Sequence, residues 1–443
     1  MNGTVSQMRV LVISHGHPAF SIGGGEIASH NLFSGLNRLP GVEAFFLART
    51  GNPVARHAQT PLMSLRQGPR ETFLWADDYD HFLISNRATD DLSGAFRRYL
   101  IDLQPDVVHF HHFIGLGVEA IWEVRRALPK ARIVITFHEY LSICLHHGQM
   151  VKTQKKRLCS SATPAECHAC FPETTPRHIF ERELFLKDHL MLADAFVSPS
   201  HFLIDRYVKW GLPADKFTML ENGIDTAHVA PLRSLPANGR RARFGFFGQV
   251  TEFKGMQVLL DAVTRVPDSV WGEDAALCIF GGNLENQPAA FRENFEALVE
   301  KAGRRAKFYG SYRSEEMPDL MRQVDWVVVP SIWWENSPLV IQEAFLHGRP
   351  VIASDIGGMK EKVLDGINGV HFRMGSAEDL ADKLSWVLSE PDIWAQLRDC
   401  MPHPLSHEEA AQQHLDLYNK LAVQSEAHAK RHAMVADSEG ETS

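Results

Sequence analysis

Two carboxylates with seven residues between them close off an otherwise uncharged stretch, Glu335-Asn336-Ser337-Pro338-Leu339-Val340-Ile341-Gln342-Glu343. Ser337 followed by Pro338 reads as a helix N-cap and a first helical residue. That reading puts Glu335 on the preceding loop and Glu343 about two turns into the helix. The backbone N–H groups of the first turn then point at an anion. Acids so placed can accept hydrogen bonds from polyol hydroxyls without a metal. A lone Glu is usually just solvated; two acids, a cap and an apolar helix at this spacing are harder to dismiss. A second segment, Phe246-Phe247-Gly248-Gln249-Val250-Thr251-Glu252-Phe253-Lys254-Gly255, places Lys254 beside the helical run Met256–Val263. An ammonium at a helix start suits a diphosphate, and one such contact is worth about 4 kcal/mol at an effective dielectric of ~20, before desolvation. The third segment is Gly23-Gly24-Gly25-Glu26. Its glycines let backbone approach a ligand closely, although it is not the G-x-G-x-x-G fingerprint and also fits a plain turn.

Each segment needs an element to hold it. Arg9–Ser14, Val42–Leu47, Val107–Phe110, Arg132–Phe137, Phe196–Ser198 and Phe217–Leu220 are short apolar or β-branched runs separated by helical patterns, as in repeated βαβ units. The rhythm stops at Ala230–Arg241, which has two prolines and no apolar period. It restarts with Phe244–Phe247, Ala276–Phe280, Lys307–Tyr309, Trp326–Val329 and Val351–Ala353. The expected organisation is a first domain over 1–230, a linker over 231–241 and a second domain over 242–402. A helix over 403–421 packs back on the first domain, and a disordered tail covers 422–443. Ligands of such open sheets bind beyond the carboxyl ends of the strands, where the three segments fall.

The 443 residues exceed one ordinary core, and 44% apolar with 22% charged residues reads as globular. A net charge of −9 speaks against nucleic acid. No apolar run approaches the ~18 residues of a membrane span, and the start of the chain lacks the pattern of a secretory signal. A cytoplasmic protein is expected.

Taken together, the segments resemble glycosyltransferase family 4, retaining enzymes of the GT-B fold. Glu335 and Glu343 match the family's paired-glutamate motif, and Gly248 to Gly255 match its Gly-x-x-x-x-x-Lys-Gly motif. Asn222-Gly223-Ile224-Asp225, the run from Glu343 to Asp355, and Gly357-Gly358 are similar as well. The resemblance implies an α/β chain of two Rossmann-like parallel-sheet domains facing a cleft. It implies transfer of a hexose from a nucleotide-diphosphate sugar to a polysaccharide, lipid-linked or small-molecule acceptor, with no metal in catalysis. It makes His138, Lys254 and Glu335 the catalytic residues. Donor contacts fall to Gly24, Gly25, Gly248, Gln249, Lys254, Glu335, Asn336, Ser337, Pro338, Leu339 and Glu343, with Glu343 on the ribose. One position departs: the family usually has Arg where this chain has Gln249, which motivates the alternative of a non-catalytic nucleotide-sugar-binding subunit.

Cys144, Cys159, Cys167 and Cys170 lie in a polar, basic insertion over about 141–175. Four thiols there suggest a structural zinc, or unrelated cysteines. Lys152, Lys155, Lys156 and Arg157 make the insertion basic, which suits an anionic acceptor or peripheral contact with the inner face of a membrane, or a plain solvated face. The acidic stretch around Asp78-Tyr79-Asp80 reads as a solvated loop, and His109, His111 and His112 as cleft wall rather than metal ligands.

Overall fold

A computed structural model describes residues 7–440 apart from 21–22, 52–53, 55–59, 65–67, 69, 89 and 155–156, and leaves undescribed the side chains of 91 and 425–440. Lys155 and Lys156 therefore lie outside the described residues.

The strands are β1 (Met8–Ser14), β2 (Val42–Thr50), β3 (Leu62–Ser64), β4 (Glu71–Trp75), β5 (Tyr79–Asp80), β6 (Ser85–Asn86), β7 (Val107–Phe110), β8 (Arg132–Thr136), β9 (Ala195–Ser198) and β10 (Phe217–Met219). They continue with β11 (Arg243–Phe247), β12 (Ala276–Phe280), β13 (Ala306–Gly310), β14 (Trp326–Val329), β15 (Val351–Ser354) and β16 (Gly369–Phe372). Two sheets dominate, ordered β10-β9-β8-β7-β1-β2-β4-β3 and β13-β12-β11-β14-β15-β16, while β5 and β6 form a small hairpin. Within the two large sheets every pairing except β3 with β4 is parallel.

Parallel strands are covered on both faces, so their residues are apolar without alternation. Val10, Leu11, Val12 and Ile13 of β1 are fully buried, as are Phe244 of β11 and Trp326 and Val327 of β14. Each sheet has one apolar cluster on either face. The second sheet has the 3-2-1-4-5-6 order of a dinucleotide fold, so its direction of winding reverses between β11 and β14. In the first sheet the corresponding reversal lies between β1 and β7. The loop after β14 meets the first domain beyond the carboxyl end of β8, where Asn336 bonds the backbone of Phe137 and His138.

The last helix starts at His407 and packs Ala411, Leu417, Tyr418 and Leu421 on the first domain's core. It runs to Gly440, so the backbone of the tail expected to be disordered is helical up to that residue. Ala422, Ala427, Ala429, Ala433 and Ala436, with Glu, Gln and Lys between them, favour helix on local propensity. Among the described residues no helix is long and apolar enough to cross a membrane.

Candidate functional site

Lys254 and Glu335 follow the two strands that flank the second sheet's reversal. Lys254 ends the short turn Glu252–Lys254, and Gly255 then takes φ 72°. A Cβ on Gly255 would lie 1.8 Å from the Pro330 carbonyl oxygen, so only glycine lets this turn reach the loop after β14. The Ile332 N–H donates to the Phe253 carbonyl at 2.9 Å and fastens the two loops together. Lys254 Nζ then sits 2.6 Å from Glu335 Oε1, which also accepts from Ser331 Oγ at 2.7 Å and Trp333 Nε1 at 2.9 Å. Glu335 is 6% exposed, and all three of these bonds fall on one of its two carboxylate oxygens.

A third strand end supports this loop. Gly357 and Gly358 open the helix after β15, and the Gly358 N–H donates to the Glu335 carbonyl at 2.8 Å. A Cβ on Gly358 would fall 1.4 Å from the Asn336 carbonyl oxygen.

Asn336 carries the loop across the cleft. Its Nδ2 donates to the carbonyls of Phe137 (3.4 Å) and His138 (3.3 Å), and its Oδ1 accepts from Ser200 Oγ. Ser337 is not the expected N-cap. Its hydroxyl donates to Glu221 Oε1 at 2.9 Å, and the helix begins one residue later than expected, at Leu339, with Pro338 as an N-cap that offers no side-chain bond. Glu221 comes from the first domain, just past β10, and also pairs with Gln342 (2.6 Å) and Lys362. Neither Glu221 nor Lys362 carries a motif, and the sequence reading missed both.

Glu343 lies on the helix Leu339–Leu346 and joins neither Lys254 nor Glu335. Among the described residues its carboxylate has no hydrogen-bond or ion-pair partner, and burial pushes its pKa up to about 7. Its charge acts on Tyr312, whose hydroxyl is raised by burial first and by Glu343 second. Gly248 adopts φ 143° and donates to the Phe280 carbonyl at 3.1 Å. Gln249 Oε1 accepts from Asn283 Nδ2 at 3.4 Å, an amide partner and not a base.

The facing wall is built from histidines. The helix Gly24–Leu36 begins within the glycine run, and a Cβ on Gly25 would lie 3.8 Å from both His138 and His15. His138 follows β8; its Nε2 is 2.9 Å from His111 Nδ1 and the two rings stack at 5.1 Å. Burial first, then His112 and His15, hold His138 down to about 3, so the ring is neutral. His112 Nδ1 accepts the N–H groups of Phe113 (2.9 Å) and Ile114 (3.0 Å), which leaves its Nε2–H for Glu139 at 3.0 Å. His15 Nε2 is 3.3 Å from the buried Glu26 carboxylate. Glu26, His15 and Glu139 were not singled out from sequence; Glu26 was legible only as the residue after the glycines.

His109 is an internal strut, bonded to Tyr418 and Thr136 at 2.7 Å each. Asp80 accepts from the Phe82 (2.8 Å) and Leu83 (3.0 Å) N–H groups and pairs with Arg87, which makes it a turn-forming acid. All four insertion cysteines are free thiols. Burial and then the other three thiols push Cys167 up to about 12. Among the described residues, however, the one group of three or more ligating side chains with atoms within 4.8 Å of one another is His17, His30 and Glu71. No three cysteine sulfurs gather that closely. In the histidine group the Ala19 N–H donates to His17 Nδ1 at 3.1 Å, so His17 carries its proton on Nε2 and donates it to Glu71 at 2.6 Å. These bonds make the cluster a hydrogen-bonded brace between the loop after β1 and β4.

Comparison with known proteins accords with this geometry. The profile "Glycosyltransferase Family 4" matches residues 22–228 and "Glycosyl transferases group 1" matches 241–390. The D-inositol 3-phosphate glycosyltransferase of Corynebacterium aurimucosum is 24% identical over 94% of each chain. That of Corynebacterium jeikeium is 30% identical over 67% of each. Among solved structures, sucrose-phosphate synthase from Thermosynechococcus elongatus aligns with a TM-score of 0.66, 20% identity, and 97% of this chain and 100% of that one covered. Anabaena HepE in complex with UDP and glucose aligns at 0.62, with 17% identity, covering 93% and 99%. From sequence to sheet order to matched relatives, the chain belongs to glycosyltransferase family 4 and is a glycosyltransferase of the GT-B fold.

Proposed function

We propose that this glycosyltransferase moves a hexose from a nucleotide-diphosphate sugar to a polysaccharide, lipid-linked or small-molecule acceptor, with retention of configuration and without a catalytic metal. The observation that carries the reading is the Lys254–Glu335 pair at the reversal of the second sheet, tied by the neighbouring Asn336 to the backbone of His138. Lys254 meets the diphosphate charge that a metal would otherwise neutralise. Glu335 accepts from sugar hydroxyls, and the unpartnered Glu343 carboxylate accepts from the ribose diol. Negative charge grows on the departing phosphate in the transition state, where a fixed ammonium lowers the barrier most. The phosphate itself takes the acceptor's proton on the face it leaves. No protein nucleophile is required. Neutral His138, beside Gly25, lines the space between sugar and acceptor.

Two similar proteins suggest the first ligands to try: one named for D-inositol 3-phosphate, the other solved with UDP and glucose. Purified protein is mixed with UDP-, GDP- and ADP-sugars, with D-inositol 3-phosphate and simple glycans as acceptors. Acceptor-dependent release of nucleoside diphosphate that persists in EDTA, with the donor's anomeric configuration kept in the product by NMR, is the expected result. Binding without turnover on every acceptor, or an inverted product, would overturn it. A structural zinc on Cys144, Cys159, Cys167 and Cys170 forms a separate proposal: it would draw the sulfurs together and hold the insertion, outside the chemistry. One zinc per chain in metal analysis is its expected outcome.

A further inference from the structure

Behind the histidine wall lies a small enclosed cavity of about 10 Å³, lined by His111, Asn31, Asn222 and Thr136 from the first domain and by His407 and His414 from the last helix. His111 Nε2 and His407 Nε2 are both buried with no hydrogen-bond partner among the described residues. A cavity of roughly 10–15 Å³ accepts one water when two or more polar groups face it. Both residues that carry these orphaned ring nitrogens line this cavity.

The backbone brings His407 here deliberately close. A Cβ on Gly35 would lie 2.2 Å from the His407 carbonyl oxygen, and one on Gly223 would lie 2.7 Å from that of Ser406. The Ile224 N–H donates to the Leu405 carbonyl at 2.9 Å. Two glycines and a backbone bond therefore clamp the start of the helix against the wall. On its other side His111 reaches His138 through Nδ1 at 2.9 Å.

We propose that His407 is a positioning residue for His138, acting through one buried water and His111. A water that donates to one ring nitrogen accepts from the other, so it couples the tautomer of His111 to that of His407. The His111 tautomer sets whether its Nδ1 donates to or accepts from His138 Nε2, and with it the tautomer and tilt of the ring in the cleft. The inference rests on the function proposed above, which places His138 beside the reacting sugar.

Two experiments test it on the full chain. In a crystal structure, a water within ~2.7–3.2 Å of both nitrogens is expected; a dry cavity overturns the proposal whatever the enzyme's activity. In kinetics, His407→Leu is expected to lower kcat about fivefold, the worth of one neutral hydrogen bond, with donor KM unchanged and melting temperature held. His407→Gln, which can still bond a water, is expected to stay near wild type. His111→Leu combined with His407→Leu should lose no more than His111→Leu alone, since both act along one path. Equal losses for Leu and Gln at 407, or additive losses in the double variant, overturn the proposal. A wild-type protein with no turnover on any donor sinks the proposed function instead, and the crystallographic test still decides the water.

Discussion

Replacing Glu343 by Gln keeps the side chain's shape and removes its charge, which separates stability from donor binding. Burial lifts this carboxyl from 4.5 to about 7. A shift of that size corresponds to about 3.4 kcal/mol at ~1.36 kcal/mol per unit. Part of the side chain stays open to solvent, so about half, ~1.5 kcal/mol, is the better figure. The folded state holds the proton more tightly than the unfolded one, so the penalty is absent below 4.5, grows as pH rises, and is complete above about 7. Gln at 343 carries no such penalty. Glu343→Gln should therefore match wild type in acid and exceed it at pH ~8, where the second domain's melting temperature rises by about 3–6 °C.

Donor binding should move the other way. On the proposed reading the ribose diol exchanges a charged acceptor worth about 1.5–3 kcal/mol for a neutral one worth ~1 kcal/mol, so donor Kd weakens by roughly two- to thirtyfold. In wild type the same argument makes donor affinity fall as pH drops through about 7. Differential scanning calorimetry across pH 5–8 and calorimetric donor titration read the two effects separately. A variant with no pH-dependent gain would show that the carboxyl is not desolvated, and unchanged donor affinity would remove Glu343 from the ribose site.

Lys254→Ala should cut kcat by about 10²–10³-fold, the usual cost of losing one preorganised charge stabiliser; a loss confined to KM in steady-state kinetics would assign Lys254 to ground-state binding alone. Gly358→Ala, whose Cβ would meet the Asn336 oxygen at 1.4 Å, must displace the loop that carries Glu335; turnover should collapse and thermal melting should fall, and an active, stable variant would refute the packing argument. Ser337→Ala should cost about 1.5–3 kcal/mol of stability, measured by urea unfolding, because the hydroxyl donates to the Glu221 carboxylate across the domain boundary and does not cap the helix; an unchanged unfolding midpoint would refute that bond.

The parts of the fold legible in sequence were those in which one physical rule acts alone. Val107–Phe110 and Trp326–Val329 are buried on both faces, and a continuous apolar run is what such strands must be. β4 begins with Glu71-Thr72 and β16 with Gly369, so neither looks apolar enough in isolation, and both were passed over. The Ser337 cap was misread because a carboxylate nearly 120 positions earlier, Glu221, takes the hydroxyl; local propensity contains no information about that partner. Lys254 and Glu335 were visible because two adjacent strand ends hold them. The histidine wall was visible only in pieces, since His15, His111, His112 and His138 come from the ends of three strands whose neighbours are fixed by the sheet order.

Near the site, the domains meet mainly through polar groups, beside one apolar contact in which the Trp334 ring packs on Phe202 at 4.9 Å. Asn336 bonds the backbone beyond β8, Glu361 accepts from the His201 and Phe202 N–H groups at 2.9 Å each, Glu221 gathers Ser337, Gln342 and Lys362, and Trp334 Nε1 donates to the Cys159 carbonyl at 2.9 Å. A hydrogen bond exchanged for water changes stability by only about 1 kcal/mol, whereas separating packed apolar surface costs in proportion to its area. A seam of this kind can part and close with modest changes in free energy, as is usual between domains. On the proposed reading the donor enters by exchange: its diphosphate takes Lys254 from Glu335, and its sugar hydroxyls take Glu335 from Lys254. The adjacent Asn336 senses the rearranged loop and holds the backbone of His138 at the same time. The contact that positions the donor is thus covalently next to the contact that positions the facing wall, and a closed seam and a filled site reinforce one another.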